Sequence, residues 1–302
     1  MEKQPATQGR HGHWMDTGPL KNKIHRFWLA RLQGLQSRWD RLSHDPALWH
    51  QDFEQLHRWR TTYRRLQALT RWGLREQREQ LRETLHGKGL RDLMKASSGI
   101  RDRHIALEYL AAWADSAPLD LTPLDRALRV EIEHHIDRWC DQWLLVLQSG
   151  PLTPWLEPEP KTLKKPNSAL VARLRKDFNK RWNKQANVLA EIRTRPPNEW
   201  DPAEVHRARI QAKHLRYLGE WWRKYLNARQ RNRLERLRNI HKIAGNMQDG
   251  ITLAALMQPW MQPNGTLEPI TAAATWVHAR ALGWHHEQSL CLAQALDRLD
   301  AV

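Results

Sequence analysis

Two cysteines among 302 residues, Cys140 and Cys291, are too few for a disulfide framework, and neither stands in a Cys-x-x-Cys pair or a Cys/His zinc spacing. Each falls in an amphipathic helical pattern, where a buried thiol is expected. Long apolar runs are missing too. None approaches the roughly 18 residues of a membrane span, and the first residues carry no apolar core before a cleavage site, so the expected location is the cytoplasm, with no membrane contact. No segment alternates apolar and polar residues as a strand would, which leaves an all-α chain. Signatures of catalysis are also absent: there is no P-loop, no Gly-x-Ser-x-Gly, no His-Glu-x-x-His and no carboxylate cluster to hold magnesium. Such a chain is expected to bind rather than to catalyse, with no metal and no cofactor.

Positive charge is what the chain has in excess. Lys and Arg number 49 against 33 Asp and Glu, a formal net charge of +16, which makes a polyanion the first partner to consider. The excess is uneven. Residues 1–150 hold 24 basic and 19 acidic side chains, residues 151–302 hold 25 and 14, and the window 161–242 alone holds 23 and 7. Electrostatic capture is therefore expected mainly from the second half.

Within that window, residues 205–222 read VHRARIQAKHLRYLGEWW. On a helix, His206, Arg209, Lys213, Arg216, Tyr217 and Glu220 fall in a sector roughly 100° wide that is cationic where a core helix would be apolar. Residues 56–68, LHRWRTTYRRLQA, repeat the pattern: His57, Arg60, Arg64 and Arg65 stand at offsets 0, +3, +7 and +8, and the two histidines are 149 residues apart. Arg91, Lys95 and Asp102 recur 147 residues later as Arg238, Lys242 and Asp249. Two blocks with nearly one displacement indicate a tandem duplication.

The order of segments follows the same division. Residues 1–19 are polar and aperiodic and read as a disordered arm. The first half, 20–149, begins with a helix from Leu20, followed by a motif helix capped at Asp45-Pro46 and running to about Trp72. A third segment leads into Leu90–Ala96; Gly99 is expected to break it before a fourth starts at Arg101-Asp102, and a fifth runs from about Pro123 to Gln148. Residues 150–167 hold five prolines and read as a connection. The second half, 168–302, repeats the order: a helix Ser168–Arg193, the motif helix from Pro202 to about Leu226, another to Ala244, a short one after Asp249, a loop to Pro269 and a last helix to Leu299.

A second stripe, Arg173, Lys176, Lys180 and Lys184, recurs at helical offsets beside the motif helix. Like charges at i,i+4 repel by a few tenths of a kcal/mol per pair, so an accumulation of them on neighbouring helices points to a counter-anion. The residue types suit phosphate: arginine offers a planar fork, lysine a compact charge, tyrosine and imidazole single directed donors. With His57 and His206 beside phosphates, binding should tighten as pH falls from 8 to 6. Asp102 and Asp249 are poor anion ligands and read as structural, capping or tethering the next helix after a glycine break or orienting a basic side chain, with metal coordination as the less favoured alternative. Glu220 is placed to orient Arg216 or Lys224. Of the 17 tryptophans, Trp28, Trp59, Trp139, Trp143, Trp182 and Trp276 lie on apolar helix faces and read as core. Trp221 and Trp222 cannot share one face, so one of them should flank the basic sector.

The two motif helices, together with GIRDRHIALEYL (99–110) and AGNMQDGITLAAL (244–256), resemble the conserved histidine α-helical domain, or CHAD, family over roughly residues 20–300. The resemblance implies two pseudo-symmetric four-helix bundles around a basic central channel that binds inorganic polyphosphate, with association with polyphosphate granules as one location. The residues it would place along the channel are His57, Arg60, Arg64, Arg65, His206, Arg209, Lys213, Arg216 and Tyr217. The first copy departs from the family pattern at +10, where Gln67 stands for a basic residue; the second departs at +8, with His214 for arginine. Nucleic acid is the alternative ligand, sharing the charge but requiring exposed aromatics or a groove wide enough for a duplex. An enzyme of phosphate metabolism would need a metal site for which the residues are not evident.

Overall fold

The computed structural model describes residues 53–70, 88–148, 168–262 and 268–298. The expected arm, the helix from Leu20, the start of the first motif helix and the proline-rich connection lie outside these residues. The described residues form seven α-helices: α1 (Phe53–Thr70), α2 (Lys88–Trp113), α3 (Thr122–Gln148), α4 (Ser168–Arg193), α5 (Pro202–Trp222), α6 (Ala228–Met257) and α7 (Glu268–Asp297), with short 3-10 turns and no strand among them.

Local chemistry sets the ends. Asp201 caps α5, its side chain accepting from the Ala203 N–H at 2.9 Å, and Pro202 occupies the first turn, where a missing N–H costs nothing. Asn227 and Gln230 form a reciprocal capping box on α6. The Gln230 amide also donates to the Arg175 carbonyl at 2.9 Å, fastening the start of α6 to α4.

Two expected breaks do not occur. α2 runs through Gly99, and α6 runs through Gly245 and Asp249. In α2 the buried residues Leu93, Ser97, Ile100 and His104 keep one helical stripe across the glycine; in α6 Leu237, Ile240, Ala244 and Met247 do the same. Continuous burial outweighs the roughly 1 kcal/mol that a glycine costs a helix interior. Asp102 and Asp249 are therefore mid-helix residues, not caps.

The helices pack in sequence order and across the halves: α2 on α3, α4 on α5, α5 on α6 and α6 on α7, with α1 meeting α5, α2 meeting α6, and α3 meeting α7. One core gathers Trp59, Trp139, Trp143, Phe178, Trp182 and Trp222 with aliphatic residues of all seven helices. Trp59 meets Trp139 and Trp143 edge-on at 5.5 and 5.6 Å. The Trp139 indole N–H also donates to the Leu93 carbonyl at 3.0 Å, so α3 is pinned to α2 by polar as well as apolar contact. A second core draws on α2, α3, α6 and α7, two helices from each half of the sequence. Trp276 is half-buried against it. The cysteines differ from expectation: Cys140 is half-buried against the first core, and Cys291 is exposed, because it falls between the buried positions Ser289 and Leu292 of α7. No helix among the described residues is long and apolar enough to cross a membrane.

Candidate functional site

The cationic sector of α5 meets that of α1. Tyr217 is buried, and three cations converge on its ring: the Arg216 guanidinium carbon lies 4.9 Å from the centroid, that of Arg65 on α1 at 5.7 Å, and Lys213 Nζ at 5.8 Å. Both sequence halves thus contribute to one cluster. Its far side is α6, where His206 Nδ1 of α5 lies 3.2 Å from the Gln248 amide oxygen.

The cluster is strongly self-repelling. Burial, and then Arg64, Arg209, Arg216 and Arg60, push the Lys213 ammonium down to about 6. Burial and the cations Arg216, Lys213, Arg209 and Arg64 push His241 on α6 down to about 3. Burial lowers Arg209 and Arg64 as well, against the opposing pull of Asp249 and Tyr217 respectively. Asp249 is raised to about 6 because burial outweighs the attraction of Arg209 and Arg101. Asp102 is raised by burial, against Arg60, Arg103, Arg101 and Arg64. The two aspartates thus lie among the cations and attract several of them.

Three buried nitrogens in this cluster find no hydrogen-bond partner among the described residues: Arg209 Nε, Arg216 Nε and His241 Nε2. Buried polar atoms are nearly always paired, and an unpaired one costs about 1–3 kcal/mol. Together with the surrounding charge, these nitrogens form a set of donors suited to an anion.

Arg60 has a different environment. It is buried, donates to the Met94 carbonyl at 3.0 Å and to the Ser97 and Ser98 hydroxyls, and so joins α1 to α2. His57 is exposed, with its ring 3.5 Å from the Thr61 hydroxyl, and burial of part of the ring followed by Arg101 lowers its pKa. Arg91, Lys95 and Lys242 are exposed. Lys176, Lys180 and Lys184 lie exposed on α4 without a hydrogen bond or ion pair among the described residues, while Arg173 is half-buried and acts with Lys180 on Asp177.

At the C-terminal end of α5, Glu220 bridges two arginines, 3.4 Å from Arg216 and 3.2 Å from Arg238; Lys224, its other expected partner, instead lies over the Tyr225 ring at 4.9 Å. An open cavity of about 700 Å³ adjoins this end, lined by Arg65, Glu220, Trp221, Arg223, Lys224 and Arg231. Trp221 is thus the tryptophan beside the basic region, and Trp222 the buried one.

Sequence reasoning missed His241 and Arg101 as members of the cluster. His241 stands three residues after Arg238 and seven before Gln248, one face of a helix that the supposed break at Gly245 concealed. Arg101, read as the start of a new helix, lies mid-helix in α2 and acts on His57, Arg60, Arg64 and Asp249.

An all-helical protein with a buried basic cluster shared between its halves is the class this geometry defines. Residues 30–258 match the family model of the CHAD domain, and the chain belongs to that family. No curated protein compared with it matches.

Proposed function

We propose that this protein binds inorganic polyphosphate without turning it over, in a basic channel between two pseudo-symmetric helical-bundle halves. The observation that carries this reading is the set of buried nitrogens without a hydrogen-bond partner among the described residues, Arg209 Nε, Arg216 Nε and His241 Nε2, inside a cluster of cations that repel one another. A chain of phosphates supplies the missing acceptors at several points and neutralises the cluster, and each added phosphate engaged by the same molecule raises affinity by multivalency. Membership of the CHAD family supports the same ligand, and the second core, with two helices from each half, supports the pseudo-twofold arrangement. Association with polyphosphate granules would follow from this activity.

Polyphosphate is favoured over nucleic acid by the placement of the aromatics. Trp59, Trp139, Trp143 and Trp182 are buried in the core, where they offer no stacking surface to bases. The deciding experiment is calorimetric titration with long-chain polyphosphate and with duplex DNA at equal phosphate concentration and physiological salt. Saturable binding to polyphosphate with weak binding to DNA is expected. Equal binding to both, collapsing together as salt rises, would reduce the site to a general basic surface. A double variant, Arg64→Glu with Arg209→Glu, should abolish binding; Lys176→Glu with Lys180→Glu tests whether the exposed stripe of α4 extends the contact. Phosphate release on addition of magnesium would overturn the non-catalytic part of the reading.

A further inference from the structure

We propose that the basic site takes up a proton with its ligand: an anion entering between α1, α5 and α6 is bound together with a proton drawn from solvent chiefly by Lys213, with His241 shifted the same way. This rests on the polyphosphate reading for the identity of the anion, but not for the state of the empty site.

Cations face Lys213 from three helices. Its own helix presents Arg209 one turn before and Arg216 about one turn after, and α1 presents Arg60, Arg64 and, across the Tyr217 ring, Arg65. His241 faces it from α6. From α4, Gln185 makes a polar contact to α5, donating to the Ala208 carbonyl at 3.1 Å. The carboxylates of the region act on arginines: Asp249 attracts Arg209 and Arg101, Asp102 attracts Arg60 and Arg103, and Glu220 is ion-paired with Arg216 and Arg238. Lys213 itself has neither a hydrogen bond nor an ion pair among the described residues, and His241 Nε2 is buried without a partner.

With every group charged, Lys213 and His241 would face arginines and each other, while the nearby carboxylates act on arginines. Arginine keeps its proton at any ordinary pH, so relief falls to the lysine and the histidine, the two groups able to lose theirs. Their depressed pKa values, about 6 for Lys213 and about 3 for His241, agree with that division. An anion placed among these side chains reverses the field: the same neighbours that opposed protonation are neutralised, and ammonium and imidazolium become the favoured forms. Asp249, already raised to about 6, is pushed in the same direction, since an adjacent anion disfavours its carboxylate. All three groups therefore shift towards uptake.

Linkage fixes the sign. When the complex binds more protons than the free protein, affinity falls as pH rises, by about tenfold per pH unit for each proton taken up. The window opens above pH 6, where the free Lys213 loses its charge. The test is calorimetry with long-chain polyphosphate at pH 7.5 in phosphate-free buffers of low and high protonation enthalpy. A slope of observed heat against buffer enthalpy near one proton per site is expected, with Kd weakening about tenfold per unit from pH 7 to 8.5. Lys213→Arg, whose guanidinium cannot release its proton, should lose most of that slope whatever its affinity. Saturable binding with identical heats in both buffers overturns the proposal. Absence of saturable binding overturns the polyphosphate reading instead, and the proton argument is then decided on the free protein by NMR with 13Cε-labelled lysine: the resonance missing from the Lys213→Arg variant should titrate between pH 5 and 8, and titration above pH 9.5 overturns it.

Discussion

Arg60 on α1 donates to the Met94 carbonyl oxygen on α2 at 3.0 Å, and two further N–H groups reach the hydroxyls of Ser97 and Ser98. A residue with the sequence signature of an anion ligand is thereby committed to joining two helices. Arg65, five residues further along the same helix, lies against Tyr217 and lines the open cavity.

The two arginines should therefore separate stability from binding. Arg60→Ala removes charge-assisted hydrogen bonds from a buried site and should cost about 1.5–3 kcal/mol in urea unfolding. Arg65→Ala should leave the unfolding free energy within about 0.5 kcal/mol of wild type and weaken polyphosphate binding. An Arg60→Ala protein that unfolds at the wild-type urea concentration would return Arg60 to the ligand set.

Glu220 acts in the opposite sense to a ligand. Its carboxylate holds Arg216 and Arg238 together at the end of α5, and it presents negative charge to any incoming anion. Glu220→Gln should release both guanidinium groups and tighten polyphosphate binding several-fold at low salt, with the gain shrinking as screening increases. Titrations at two ionic strengths check this. Weaker binding in the variant would mean that Glu220 orients the arginines productively.

Glycines within the helices test how closely α5, α6 and α7 approach. A Cβ on Gly219 would lie 2.7 Å from Leu234 Cδ1 and 2.9 Å from Phe178 Cε2, and one on Gly250 would lie 2.9 Å from the Ala281 carbonyl oxygen. Gly219→Ala and Gly250→Ala should each destabilise by about 1–3 kcal/mol through overpacking, overriding the usual helical gain of alanine. Gly245 has open space around it, so Gly245→Ala should stabilise by about 0.5–1 kcal/mol. Denaturant midpoints of the three variants should thus move in two directions; a uniform shift would contradict the packing.

That contrast explains what the sequence made legible and what it concealed. The all-helical class, the boundaries of α3 and α4 and the start of α5 at Pro202 could be read locally, because apolar spacing and proline chemistry act within a few residues. Gly99 and Gly245 look like breaks by the same local rules, and only tertiary burial on either side carries α2 and α6 through them. The motif pattern singled out Arg64, Lys213, Arg216 and Tyr217, which the fold brings together. It did not distinguish Arg60, which is spent on α2, from Arg65, nor could it place His241 opposite Lys213, since both depend on how the helices meet.

The cost of assembling that cluster should be measurable in the free protein. Lys213 has a pKa of about 6 when folded against 10.5 as an ordinary lysine. Between those values the unfolded chain binds a proton that the native one lacks, so this residue makes stability rise with pH across the window and is most costly near and below its lower end. Lys213→Met removes the burden while keeping a long apolar stem. The variant should melt above wild type at pH 7, and its advantage should shrink steadily as pH approaches 10.5. Saturating polyphosphate should invert the order at pH 7, raising the melting temperature of wild type and leaving the variant nearly unmoved. Thermal unfolding of both proteins at pH 7, 8.5 and 10, with and without the polymer, decides the matter. A Lys213→Met protein no more stable than wild type at pH 7, or one whose advantage does not change with pH, would mean that Lys213 is charged and accommodated in the empty site, and that the cluster stores no repulsion there for an anion to relieve.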